Sequence, residues 1–246
     1  MLRTTRLYTP QTLKSLACGK TVKLETQTSH HLLKVLRAKN GQPLVLFNGD
    51  GFNYAATLTD TEGKNALLTL DKISENPNES PLHITLLQGL SRGDRMETAL
   101  QKSVELGVDH IVPVLCERSN YAIKADRIDK KIEHWQQIIV SACEQSGRSI
   151  IPQLTSIQAF KEAVKLFKDH EKLLLATDAE HRLKDSVKPK DKICILIGPE
   201  GGLSPEEITL ASENHYQNIQ FGPRILRTET AGPAVIAALQ TLWGDF

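Results

Sequence analysis

The chain has 246 residues, 40% of them hydrophobic and 24% charged, with a formal net charge of +1, the proportions of a folded globular protein with room for one large domain or two modest ones. No apolar run approaches the roughly 20 residues of a bilayer-crossing helix, and the start, Met1-Leu2-Arg3-Thr4-Thr5-Arg6, lacks the apolar stretch of a secretory signal, so a cytoplasmic protein with no membrane partner is expected. Four scattered cysteines (Cys18, Cys116, Cys143, Cys194) form no CxxC pair, which suggests neither a zinc site nor a disulfide framework.

The near-neutral total hides an asymmetry. Residues 1–72 carry ten Lys and Arg against five Asp and Glu, whereas the rest carries twenty against twenty-four. That is compatible with a polyanion-binding module beside a catalytic one, or with ordinary scatter.

The first 72 residues read mostly as short strands. Pro43–Phe47, the turn Asn48-Gly49-Asp50-Gly51 and Phe52–Thr59 make a strand–turn–strand signal, and Ala66–Ile73 is a further strand. One helix interrupts them, with Ser29 as its cap, His30–Lys39 as its body and Asn40-Gly41 as its stop. Its spacing turns Leu32, Val35 and Leu36 to one side and His31, Lys34 and Arg37 to another. This predicts either a helix anchored in a small β-barrel with a basic edge or an ordinary solvated face. The adjacent His30-His31 point to different helix faces without a carboxylate partner nearby, so no metal is expected. Ile73–Pro81, rich in Ser, Asn, Glu and Pro, is the best linker, and the domain boundary is placed there, at 1–74 and 75–246.

Beyond it, strands and helices alternate. Strands are predicted at Leu82–Gln88, His110–Leu115, Ile151–Leu154, Lys172–Thr177, Lys192–Ile197 and Asn218–Phe221. Helices are predicted from a capping-box-like Asp94/Glu97 to Gly107, over Arg127–Ser146, over Ile157–Phe167, from the capped start Ser204-Pro205-Glu206-Glu207, and over Pro233–Leu242. The long second helix carries a stripe of Ile128, Ile132, Trp135, Ile139 and Ala142. Six strands in alternation with five helices predict a parallel α/β sheet.

Two of those strands end in loops of chemical interest. Lys192–Ile197 runs into Gly198-Pro199-Glu200-Gly201-Gly202-Leu203, and Asn218–Phe221 into Gly222-Pro223-Arg224-Ile225-Leu226-Arg227-Thr228-Glu229-Thr230-Ala231. Bare backbone at the carboxyl edge of a parallel sheet marks a ligand site. Neither GxGxxG nor GKS/GKT is present, and Glu200 would repel a phosphate, so the first loop suits an adenine edge or a ribose better. It also reads as a tight turn into the helix at Ser204. In the second loop a capping Thr228 or Thr230 and a dipole-complementing Glu229 are ordinary. Arg227 is not, and is better explained by a ligand anion or a developing oxyanion. Arg92, after the first strand of the sheet, falls on the same rim, and Arg148, after the long helix, is either a solvated terminal charge or, if the helix returns there, a further residue near it.

Five segments together resemble one family: His31–Arg37, Gln101–Val108, Glu144–Arg148, Ile197–Leu203 and Arg224–Ala231. They resemble the bacterial 16S ribosomal RNA uracil-N3 methyltransferases of the SPOUT superfamily, in order and over almost the whole chain. The resemblance implies a SPOUT methyltransferase domain with a C-terminal trefoil knot, an N-terminal PUA-like β-barrel that helps bind RNA, and a homodimer. It also implies S-adenosyl-L-methionine held by Thr177, Ile197, Gly198, Pro199, Glu200, Gly201, Gly202, Leu203, Phe221, Gly222, Ile225, Leu226, Thr228 and Ala231. Phe221 stands where the family often has Leu. The implied reaction is methylation of N3 of uridine 1498 in the small-subunit RNA, with Arg227, Glu229 and Arg92 as catalytic candidates. Arg3, Arg6, His31, Lys34, Arg37 and Arg148 are the RNA-binding candidates. A ribose 2′-O-methyltransferase of the same fold and a non-catalytic RNA-binding assembly factor are the alternatives.

Overall fold

The structure, a computed structural model, describes residues 4–119, 125–176, 179–185 and 191–246. The chain forms two compact units, Met1–Glu79 with Cys143–Ile151, and Ser80–Ala142 with Pro152–Phe246. The linker region Ile73–Pro81 is strand as far as Glu75, and a stretch remote in sequence groups with the first unit, which no single cut along the chain expresses.

The first unit is built on a five-stranded sheet of β1 (Thr5–Tyr8), β2 (Thr21–Lys23), β3 (Pro43–Phe47), β4 (Phe52–Glu62) and β5 (Asn65–Glu75), in the order β1-β3-β4-β5-β2. β1 pairs parallel with β3, and the other pairs are antiparallel. Alternating buried and less buried residues in β4 and β5 give the sheet one apolar face. Leu44, Leu46, Tyr54, Leu58, Leu68 and Leu70 form its core with Leu7, Leu13 and Leu32.

The helix here departs from expectation. It starts earlier, as α1 (Thr26–His30), and continues as one π-turn over His31–Val35. Ser29 is not its cap. It lies buried inside the helix, donating to the Leu24 carbonyl (3.2 Å) and accepting from the Ala66 amide (2.9 Å). The Leu36 amide reaches back five residues to His31, and this wider winding breaks the anticipated apolar stripe. Leu32 stays in the core, but Val35 is 59% exposed and Leu36 is exposed with it. Arg37 adopts φ +54°.

Two arginines predicted to contact RNA are structural instead. Arg148 is only 4% exposed, with Nε and Nη2 donating to Glu79 Oε2 at 3.0 and 2.7 Å. Glu79 Oε1 accepts the amides of Ser149 and Ile150. Arg6 donates to Asn53 Oδ1, Ser149 Oγ and the Arg148 carbonyl and lies over the Phe47 ring. The buried Arg148 guanidinium needs its partners, and the half-buried Arg6 has its donors engaged within the same unit.

The second unit is a seven-stranded parallel sheet. Its strands are β6 (His83–Gly89), β7 (His110–Leu115), β8 (Gln153–Leu154), β9 (Gln158–Ala159), β10 (Glu171–Leu175), β11 (Lys192–Ile197) and β12 (Gln217–Ile219). The order is β12-β10-β11-β6-β7-β8, with β9 also on β7. β6 and β11 are buried along nearly their whole length, as central parallel strands are. Helices α2 (Asp94–Glu105), α3 (Ile128–Ser146), α4 (Phe160–Ala163), α5 (Pro205–Glu213) and α6 (Thr228–Trp243) complete it.

The predicted helix Ile157–Phe167 resolves into β9 and the single turn α4. Asp94 is the first helical residue rather than a cap, and Glu97 binds Lys131 and His134. The capping box at Ser204 forms, with Glu207 Oε2 accepting the Ser204 amide and Ser204 Oγ the Glu207 amide. α6 begins five residues earlier than its proline suggested, with Arg227 as N-cap and Pro233 inside. As the sixth residue of α6, Pro233 has no amide to offer the Glu229 carbonyl, yet the helix continues through it to Trp243.

Replacing Glu79 by Ala leaves the Arg148 guanidinium buried without its carboxylate. It should destabilise the protein by about 3 kcal/mol in urea unfolding.

Candidate active site

The carboxyl edge of the second sheet holds a cavity of about 560 Å³. Its floor is the end of β10 (Leu174, Leu175, Ala176) and of β11 (Ile197). One side is Gly198, Pro199, Glu200, Gly202, Leu203 and Ile208, and the other is the run from Phe221 to Glu229 with Ala231; Arg95 joins the rim. The size is that of a small-molecule site.

Close backbone approach makes this geometry possible. A Cβ on Gly89 would lie 2.5 Å from the Pro199 nitrogen, so the end of β6 supports the turn after β11 directly. Gly201 does not line the cavity. A Cβ there would stand 2.9 Å from the Arg118 carbonyl oxygen, so its smallness serves packing of the loop rather than contact with a ligand.

Thr228 joins the two loops. Its hydroxyl donates to the Gly198 carbonyl (2.8 Å) and accepts from Gln88 Nε2 (2.9 Å). Immediately after it, Glu229 sits in the first turn of α6, where the helix dipole favours a carboxylate, and is 15% exposed. Arg227, at the N-cap where a cation gains nothing from the dipole, is 82% exposed, its Nη1 4.0 Å from Glu229 Oε1.

Glu200 is the other carboxylate of the cavity. Burial pushes its pKa up, but hydrogen bonds from its own backbone, from Arg95 Nη1 (3.0 Å) and from the Arg92 amide (3.3 Å) outweigh this and hold it below the usual carboxylate value. Arg92 thus enters through its backbone; its side chain is exposed and does not line the cavity. Arg95, Ile208 and the end of β10 are lining residues that sequence reasoning did not single out, whereas Pro223 and Arg224 belong to the second loop it marked. Arg95, one helical turn after Arg92 on the same rim, was within reach of the same argument.

Of the cofactor candidates, Ile197, Gly198, Pro199, Glu200, Gly202, Leu203, Phe221, Gly222, Ile225, Leu226, Thr228 and Ala231 all meet at this cavity. Thr177 and Arg3 lie outside the described residues. His31 and Lys34, on the π-turn of the first unit, and Arg37, two residues beyond it, are all exposed. Among the described residues no cluster of His, Cys, Asp and Glu could hold a metal, no helix is long and apolar enough to cross a membrane, and all four cysteines are free.

A parallel α/β unit with backbone-lined loops at its carboxyl edge, and basic side chains on the rim, is the architecture of a nucleotide-modifying transferase. A family profile described as an RNA methyltransferase domain matches residues 78–240, and one described as an RNA methyltransferase PUA domain matches residues 24–71. The ribosomal RNA small subunit methyltransferase E of Buchnera aphidicola (strain APS) is 35% identical over 91% of this chain and 88% of its own. A crystal structure of the Neisseria gonorrhoeae methyltransferase E, bound to S-adenosyl methionine, is 42% identical with a TM-score of 0.92, covering 99% of this chain and all of the other. A Legionella pneumophila structure described as a methyltransferase with bound SAM is 37% identical with a TM-score of 0.94, each chain covered in full. The chain belongs to the ribosomal RNA small subunit methyltransferase E family, with a SPOUT α/β-knot methyltransferase domain and a PUA-like N-terminal domain.

The depressed Glu200 pKa depends on its cationic partner. Because it lies below the unfolded value, the stabilisation it brings is present above the ordinary carboxylate range and is lost as pH falls through the folded value. Arg95→Met should raise the Glu200 pKa, as read by carboxyl-carbon NMR titration.

Proposed function

We propose that the protein transfers the methyl group of S-adenosylmethionine to N3 of uridine 1498 in the 16S RNA of the small ribosomal subunit. The observation that carries this reading is the cavity itself. Backbone-lined loops, apolar walls from Leu174, Ile197, Leu203, Phe221 and Leu226, and two carboxylates line a volume of about 560 Å³, which suits a cofactor with an adenine, a ribose and a cationic sulfonium. The residues present fit that group. Gly198, Pro199, Gly202 and Leu203, with Phe221 to Leu226, would hold it through backbone groups, and Glu229 and Glu200 would offset its positive charge. When bound, it supplies an electrophilic methyl carbon.

The chain's own residues must handle the uracil. The imide N3–H is weakly acidic, so its proton has to leave before or during attack. Glu229, in the wall of the cavity, is the candidate to accept that proton or to orient Arg227. Arg227 is positioned to stabilise charge spreading onto the flanking carbonyl oxygens, and its exposure leaves it available to a substrate arriving from solvent. Arg95 and Arg224, both on the rim, are better placed for this than Arg92 or Arg148. A uridine presented edge-on must be unpaired or extruded, and much of the acceleration then comes from positioning.

The PUA-like unit supplies the RNA surface through His31, Lys34 and Arg37. The working form is a homodimer, supported by Ile225, 85% exposed beside the cavity, and by exposed Leu242 and Phe246; sedimentation measures this directly.

Arg227→Ala should abolish methylation of small-subunit RNA while leaving S-adenosylhomocysteine affinity within a few fold. Mass mapping of the modified nucleotide tests the reading, since a methyl on ribose or no methyl at all would overturn it. Replacing His31, Lys34 and Arg37 together by Gln should weaken RNA binding and lower the slope of log K against log salt by about 2.

A further inference from the structure

Gln88 is the penultimate residue of β6, fully buried, and it does not line the cavity. A glutamine at the centre of a parallel sheet is unusual unless both ends of its amide are used. Here one end has a defined task. Nε2 donates to Thr228 Oγ1 at 2.9 Å and, at the longer distance of 3.4 Å, to the Gly89 carbonyl, and the Thr228 hydroxyl donates its only proton to the Gly198 carbonyl at 2.8 Å. A hydroxyl with its proton committed can meet a second neighbour only as an acceptor, so the amide must present nitrogen to Thr228. Its oxygen then lies against α6, 3.3 Å from where a Cβ on Gly232 would stand, and has no hydrogen-bond partner among the described residues. The arrangement keeps a buried acceptor unsatisfied in order to keep the donor in place.

We propose that Gln88 is a positioning residue of this active site. It polarises and aims the Thr228 hydroxyl, and through it sets the separation of the loop after β11 from the start of α6. The side chain thus joins β6, the Gly198 turn and the first turn of α6 at one point. The adjoining Gly89 supports Pro199 from beneath, so both residues at the end of β6 act on the same turn. The consequence is an effect on ligand affinity from a residue that touches no ligand. This rests on the reading that the cavity takes S-adenosylmethionine.

The test is titration calorimetry of the full-length protein with S-adenosylhomocysteine, alongside melting temperatures without ligand. Gln88→Leu should weaken binding about tenfold, the effect of one lost hydrogen bond to a buried group. Thr228→Val should weaken it comparably, and Gln88→Leu combined with Thr228→Val should be no worse than the poorer single variant, because the two act in series.

Gln88→Glu separates aiming from packing. Ionised, the introduced carboxyl only accepts, so it competes with Gly198 for the Thr228 proton. Neutral, it donates again as the amide does. Its affinity should therefore fall at high pH and recover relative to wild type as pH is lowered, with burial placing the recovery above the ordinary carboxylate range. Wild-type affinity in Gln88→Leu or Gln88→Glu, or additive losses in the double variant, would overturn the proposal. So would a loss in Gln88→Glu that is equal at every pH, which marks a packing defect. Should Gln88→Leu fail to fold, Gln88→Glu and Thr228→Val decide the matter. Absence of binding to the wild-type protein would instead sink the cofactor reading, a result distinct from normal binding by all the variants.

Discussion

The bond from the Thr228 hydroxyl to the Gly198 carbonyl joins two loops that the sheet itself keeps apart. β11 lies inside the sheet, next to β6, whereas β12 is at the end of the strand order, paired with β10. The chain leaving β12 must therefore cross the end of β10 before α6 can begin beside Gly198. α6 starts at Thr228, five residues ahead of its proline, and this early start turns the second loop into a wall. It places Glu229 in a first turn, where the dipole favours it, and brings Ala231 against the cavity. A start at Pro233 would leave the same residues as open loop.

The first unit shows the opposite use of polar groups. Arg148 is drawn inward onto Glu79, where an unpaired buried guanidinium would cost several kcal/mol, and the half-buried Arg6 is engaged by several acceptors beside it. His31, Lys34 and Arg37 remain outside, since this segment sends Leu32 into the core with Leu33 and Ala38 packed against it and leaves Val35 and Leu36 exposed. Charge count along the sequence treats all of these as equal contributors to a basic segment. Burial divides them, so the surface available to a polyanion is smaller and more localised than the count implies.

Much of the second unit was legible because its signals were local. The runs His110–Leu115 and Lys192–Ile197 coincide with β7 and β11, since buried parallel strands are continuously apolar. The Ser204 capping box was readable because both of its bonds close within four residues. What failed depended on distant partners. Ser29 looks like a cap until Leu24 and Ala66 occupy its hydroxyl. The helix expected at Ile157–Phe167 gives way to β9 because β7 offers it an edge to pair with. Gln88 reads simply as one polar residue ending a strand, and acquires meaning only when Thr228, 140 residues later, comes alongside.

The distribution of charge around the cavity follows from where each residue falls on α6. A cation at the N-cap faces the positive end of the helix dipole, so Arg227 gains nothing by turning inward and extends into water. A carboxylate two residues on is attracted to the same end and stays against the wall. One short stretch thereby sorts its charges, with Glu229 toward the interior and Arg227 toward solvent. Glu200 repeats the pattern from the other loop, its own charge drawn in and the cation of Arg95 held at the rim. On the proposed function this sorting matches the two ligands. A sulfonium cofactor enters an interior of carboxylates, while an RNA strand meets a rim of guanidinium groups. The helix start that closes the cavity is therefore also what decides which sign of charge each ligand encounters.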